Sequence, residues 1–126
     1  MRTKQTFLVY GEPASKANSR RIVLIKGLYR SIKSEKALNY AKSFQKQTQV
    51  QLAGNREVWT EDVKVTITIW YASRRPDLDE SVILDCLQGV AYENDRQVKE
   101  KHIYWAGVDR DNPRSEITVE KIMPPA

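Results

Sequence analysis

The sequence predicts an α+β domain, with a mixed β-sheet of about four or five strands and two helices packed on it. Two patterns carry that expectation. Apolar and polar residues alternate from Val63 to Tyr71, the period of a half-buried strand. From Ser34 to Leu52 the apolar residues recur instead at the three-to-four-residue spacing of a helix. No repeat, low-complexity tract or linker divides the 126 residues, so one domain spans 1–126.

Thr6–Tyr10 reads as a first strand, stopped by Gly11 and Pro13. The small, polar, cationic run Ala14–Arg21 reads as an exposed loop. Arg21–Ile25 and Leu28–Ile32 flank Lys26-Gly27, as in a short hairpin. In the helix that follows, Ala37, Tyr40, Ala41, Phe44, Thr48 and Leu52 share a face, Ser34 is the N-cap and Gly54-Asn55 the stop. Val63, Val65, Ile67, Ile69 and Tyr71 form the inner face of the next strand. Ser81–Leu87 is apolar nearly all round, a short buried helix with Asp79 as N-cap and Gly89 as C-cap. Val98–Trp105 and Ser115–Lys121 complete the strands, and Pro124–Ala126 forms a frayed tail.

Composition narrows the class. With 29% charged and 40% hydrophobic residues the chain is an ordinary globule. No apolar run approaches the ~20 residues of a membrane span, and the N-terminus lacks a signal-peptide core. Cys86 is the only cysteine and His102 the only histidine, which excludes an intrachain disulfide and argues against zinc. A cytoplasmic, reducing setting is expected. Residues 1–36 carry nine Lys/Arg against two acids, a net +7, leaving −2 for the remainder of a +5 chain. A basic third beside an acidic remainder fits a polyanion-binding surface next to a carboxylate site, although scattered solubilising lysines give the same balance.

The most informative stretch is Arg74-Arg75-Pro76-Asp77-Leu78-Asp79, directly after the Val63–Tyr71 strand. Two carboxylates two residues apart point the same way in extended chain, about 6.6 Å apart. Glu93-Asn94-Asp95 adds a third acidic spot after one apolar segment. Oxygen ligands so arranged suit Mg²⁺, and flanking arginines suit a phosphate ester. A solvated charged loop is the alternative. Asp85 is out of place in an apolar helix and needs a metal or a salt-bridge partner. Trp59, Trp70 and Trp105 read as core or dimer surface, and His102 has no catalytic part.

These residues resemble the RusA family of Holliday-junction resolvases, often carried by phages and prophages. The family's Asp-Leu-Asp-Asn corresponds to Asp77-Leu78-Asp79-Glu80, and its Leu-Asp-Ala-Leu-Asn-Gly to Leu84-Asp85-Cys86-Leu87-Gln88-Gly89. Its Val-Tyr-x-Asp-Asp-x-Gln-Val corresponds to Ala91–Val98, and the resemblance covers nearly the whole chain. Two departures stand out. The family's helix lysine has no counterpart, Ser81 being nearest, so its task passes to Arg74, Arg75 or Lys16, or activity is weaker. Asn94 replaces the first Asp of the family's pair, while Asp95 is retained.

The resemblance implies an Mg²⁺-dependent endodeoxyribonuclease, with Mn²⁺ as a possible substitute. It nicks four-way DNA junctions symmetrically as a homodimer, in DNA recombination and repair, within a phage, prophage or bacterial host cell. Asp77, Asp79 and Asp95 are the catalytic, metal-holding residues, with Asp85 as a fourth ligand or, preferably, a residue that orients the others. Lys16, Asn18, Arg20, Arg21, Arg74 and Arg75 are candidates for DNA phosphate. The rival readings are a catalytically weakened junction-binding protein, a metal-dependent nuclease for other branched DNA, and a structural protein with a salt-bridged acidic loop.

Overall fold

A computed structural model describes residues 3–15, 20–54 and 57–123, with the side chain of Arg20 outside the description. The fold is α+β, as expected. Its elements are β1 (Lys4–Tyr10), β2 (Arg20–Ile25), β3 (Leu28–Lys33), α1 (Glu35–Leu52), β4 (Val63–Tyr71), α2 (Ser81–Leu87), β5 (Val98–Val108) and β6 (Arg114–Lys121). Four strands form one sheet in the order β1-β6-β4-β5, and β2 and β3 form a separate hairpin.

β4 lies inside the sheet because its inner face is unbroken. Val63, Val65, Ile67 and Ile69 are wholly inaccessible and Tyr71 nearly so. It pairs antiparallel with β6 and parallel with β5. Phe7 and Val9 of β1, Ile117 and Val119 of β6, and Tyr40 and Phe44 of α1 complete the core with Ile83 and Leu87 of α2. The Ser34 hydroxyl caps α1 by accepting from the Ala37 N–H at 3.2 Å.

The polar face of α1 does more than meet solvent. Gln47 exchanges hydrogen bonds with the N–H (2.7 Å) and carbonyl (2.9 Å) of Tyr10, and Gln51 does the same with Leu8 (2.8 and 2.7 Å). One helical turn separates the two glutamines, and two strand residues separate their partners. Their amides act as a surrogate strand along the open edge of β1, an edge that would otherwise offer pairing sites to other chains.

The hairpin turn has positive φ at both Lys26 (51°) and Gly27 (77°), the signature of a type I′ turn. No described helix is long and apolar enough to cross a membrane.

Candidate active site

The loop after β4 is fastened from below by one phenol. Tyr71 ends the strand with its ring in the core, and its hydroxyl donates to the Asp77 carbonyl at 3.1 Å. The same oxygen accepts from the Asp79 N–H at 3.1 Å. Asp79 Oδ1 accepts in turn from the Ser81 N–H at 2.9 Å, a turn that leads into α2. The helix caps themselves are Glu80 and Gln88, one residue inside the expected Asp79 and Gly89. Glu12 closes the other side, accepting from the Ala72 N–H at 2.8 Å and from Lys36 Nζ at 3.5 Å. Burial raises the Tyr71 pKa, and the charges of Asp79, Glu12 and Glu80 raise it further. Three carboxylates therefore surround one phenol.

The second acidic spot is built by Gln97 and Asn94. The Asn94 side chain accepts from the Arg96 N–H at 2.9 Å and opens the short 3-10 turn Asp95–Gln97. Gln97 Oε1 accepts from the N–H groups of Glu93 (3.0 Å) and Asn94 (2.9 Å). Its Nε2 donates to the carbonyls of Trp59 and Glu61, at 2.8 Å each. The Asn-Asp-x-Gln run is thus a clamp that fixes Asp95, with the Asn94 side-chain oxygen committed to the backbone.

Asp95 Oδ1 lies 3.0 Å from the Tyr92 hydroxyl, and its N–H donates to Gln88 Oε1 at 3.2 Å. Burial raises the Asp95 pKa above the ordinary aspartate value. Tyr92 pulls it down, and Asp85 raises it again through charge and a hydrogen bond. The expectation of a helix buried nearly all round is corrected at Asp85: its side chain is exposed, because Val82, Ile83 and Leu87 take the core-facing positions of this seven-residue helix. Asp85 and Asp95 form a carboxylate pair instead. Lys101 of β5 spans the two acidic groups, with Nζ 3.4 Å from Glu80 Oε1 and its charge favouring ionised Asp95.

Asp77, Arg74, Arg75 and Arg21 are exposed, and the Arg74 guanidinium lies 5.6 Å from the centre of the Trp105 ring. Lys16 and Asn18 lie outside the described residues, as does the side chain of Arg20. Trp59 is core, 1% exposed, whereas Trp105 is 45% exposed. Cys86 is a thiol that burial pushes up to about 11, which leaves it protonated at neutral pH.

Among the described residues no three carboxylate, histidine or cysteine side chains gather closely enough to hold a metal ion. The donor chemistry nonetheless fits a hard cation: every candidate ligand is a carboxylate, and the Asp85–Asp95 pair carries a repulsion that a cation relieves. Sequence reasoning missed Glu12, Glu80, Lys101, Tyr71 and Tyr92 as parts of this region. Glu80 had a signal in its adjacency to Asp79, whereas nothing in local spacing marks Glu12 or Lys101. None of the curated proteins compared matches the chain. The family model described as Endodeoxyribonuclease RusA matches residues 11–120.

Proposed function

The chain belongs to the RusA endodeoxyribonuclease family, and on that premise we propose that it resolves four-way DNA junctions by hydrolysing one phosphodiester in each of two symmetric strands. Water adds to phosphorus, the bond to the 3′ oxygen breaks, and the products are a 5′-phosphate and a 3′-hydroxyl. The family match over residues 11–120 carries this reading.

Asp77, Asp79 and Asp95 would hold Mg²⁺, or Mn²⁺ in its place, and the bound ion supplies an acidified water and neutralises phosphate charge. The chain's own residues do the positioning. Tyr71 holds the backbone of Asp77 and Asp79, and the Gln97 clamp holds that of Asp95, so the carboxylates approach DNA from braced elements. Asp85 stays beside Asp95 and tunes its charge. Lys101 provides an ammonium between the acidic groups and takes the place of the family's helix lysine. Exposed Arg74 and Arg75 contact backbone phosphates, which position a duplex without reading its sequence.

Two copies are needed for paired nicks, and β5 supports a symmetric pairing. It is the last strand of the sheet, with an outer edge not paired to any described strand, and it exposes Tyr104 (52%) and Trp105 (45%).

The test is nicking of a synthetic four-way junction in Mg²⁺ or Mn²⁺ by wild type and Asp79→Asn. Symmetric nicks by wild type, with the variant inactive yet still bound, are expected. A fully active Asp79→Asn protein ends the assignment. Equal cleavage of flaps or forks assigns a broader branched-DNA nuclease, and binding without nicking assigns the weakened junction binder.

A further inference from the structure

The β2–β3 hairpin is the least explained part of the fold. Among the described residues its strands pair only with each other, and a lone two-stranded hairpin is marginal in water. Paired residues share a face, so the register Leu24↔Tyr29 and Ile22↔Ser31 puts Ile22, Leu24 and Tyr29 together. They are 74%, 62% and 80% exposed. The other face carries exposed Arg21 and Arg30, with Val23 and Ile32 half-buried and Ile25 and Leu28 exposed near the turn. Three large apolar side chains grouped on one face, with Ile25 and Leu28 exposed beside the turn, call for a cover.

Charge decides what covers it. Residues 20–33 contain five cations (Arg20, Arg21, Lys26, Arg30, Lys33) and no acid, so this segment carries the whole +5 of the chain and the rest sums to zero. Two such faces repel one another, while a polyanion is attracted. Lys33, at the base of the hairpin, lines the groove of about 770 Å³ between α1 and α2 together with Asp85. Asp85 neighbours Asp95, so the ribbon is rooted beside the acidic site.

We propose that the β2–β3 hairpin is a DNA-inserting ribbon: its cations hold backbone phosphates while Ile22, Leu24 and Tyr29 pack against bases unstacked at a branch point. This deepens the junction-resolvase reading and rests on it. Two-stranded ribbons fit a DNA groove, apolar side chains wedge between base steps, and bases stack on tyrosine irrespective of sequence. The face therefore favours branched over linear DNA, because bases at a branch are already partly unstacked.

The experiment compares wild type, Leu24→Ser/Tyr29→Ser and Arg21→Ala/Arg30→Ala without turnover, in EDTA. Affinity for a four-way junction and a linear duplex is measured together with the fluorescence of 2-aminopurine at the branch. All three proteins are checked for cooperative melting and for oligomeric state by sedimentation. The Leu24/Tyr29 variant is expected to lose about tenfold or more in junction affinity and the 2-aminopurine rise, keeping its duplex affinity. The Arg21/Arg30 variant is expected to weaken on both DNAs, its log–log salt slope becoming shallower by about 0.9 for each phosphate no longer neutralised. A Leu24/Tyr29 variant that binds and unstacks the junction like wild type overturns the ribbon and leaves the nuclease assignment standing. A variant that changes only the oligomeric state overturns it in favour of a contact between copies. Wild type that binds no branched DNA ends both readings.

Discussion

The Tyr92 hydroxyl lies 3.0 Å from Asp95 Oδ1 and also 2.9 Å from the Leu84 carbonyl oxygen. A phenol owns one proton, and it cannot fully serve two acceptors. The network is complete when Tyr92 donates to Leu84 and Asp95 brings a proton of its own, or when a cation takes that proton's place. Burial and the Asp85 charge push Asp95 in that direction.

A stability penalty at neutral pH follows. An aspartate whose folded pKa is raised holds its proton more tightly in the folded state than in the unfolded one. Stability therefore falls as pH rises from the ordinary aspartate value, about 3.9, through the raised one. Asp95→Asn should melt higher than metal-free wild type at pH 7 and be inactive, with the difference shrinking toward pH 4. An Asn variant less stable than wild type at pH 7 would contradict this account. Thermal melts across pH, paired with the nicking assay, provide the check.

Divalent ions should remove the same penalty. Mg²⁺ at a hundredfold above its Kd adds about 2.7 kcal/mol to folding stability. Wild type should show a concentration-dependent rise in Tm that Asp95→Asn and Asp79→Asn largely lose. An unchanged wild-type Tm would argue for a salt-bridged acidic surface instead.

Tyr71→Phe removes one hydroxyl from beneath the acidic loop. The ring keeps its core packing, so the stability cost should be about 1–3 kcal/mol, the range for leaving buried polar partners unmatched. Small displacements of a reacting group can cost about 100-fold in rate. The variant should therefore nick slowly while binding junctions with near-normal affinity, a split that single-turnover kinetics and a binding titration resolve.

Lys101 tests electrostatics more directly. Lys101→Ala should slow cleavage about tenfold or more, an effect in the range of losing a charged stabiliser, with Lys101→Arg restoring part of it. The alanine variant should also shift the acidic limb of the pH–rate profile upward, since Lys101 favours ionised Asp95.

Gln47 and Gln51 make a prediction about the fold alone. Replacing both with alanine removes four hydrogen bonds to β1, each worth about 1 kcal/mol net. Chemical denaturation should show a loss of about 2–4 kcal/mol, and light scattering should show association through the uncovered edge.

Periodicity located β4 and α1, because alternation and helical spacing are local records of which side chains must leave water, and the Lys26-Gly27 turn signal located the hairpin. The composition of residues 20–33 likewise placed the chain's charge without reference to the fold, and Asp77, Asp79 and Asp95 stood out by type and spacing. Only packing decided that Asp85 turns toward Asp95, that Lys101 arrives from a parallel strand beside Glu80, and that two glutamines of α1 close the edge of β1. Those relations join segments far apart in the chain, and their energies depend on distance and burial in the assembled fold, which no local pattern encodes.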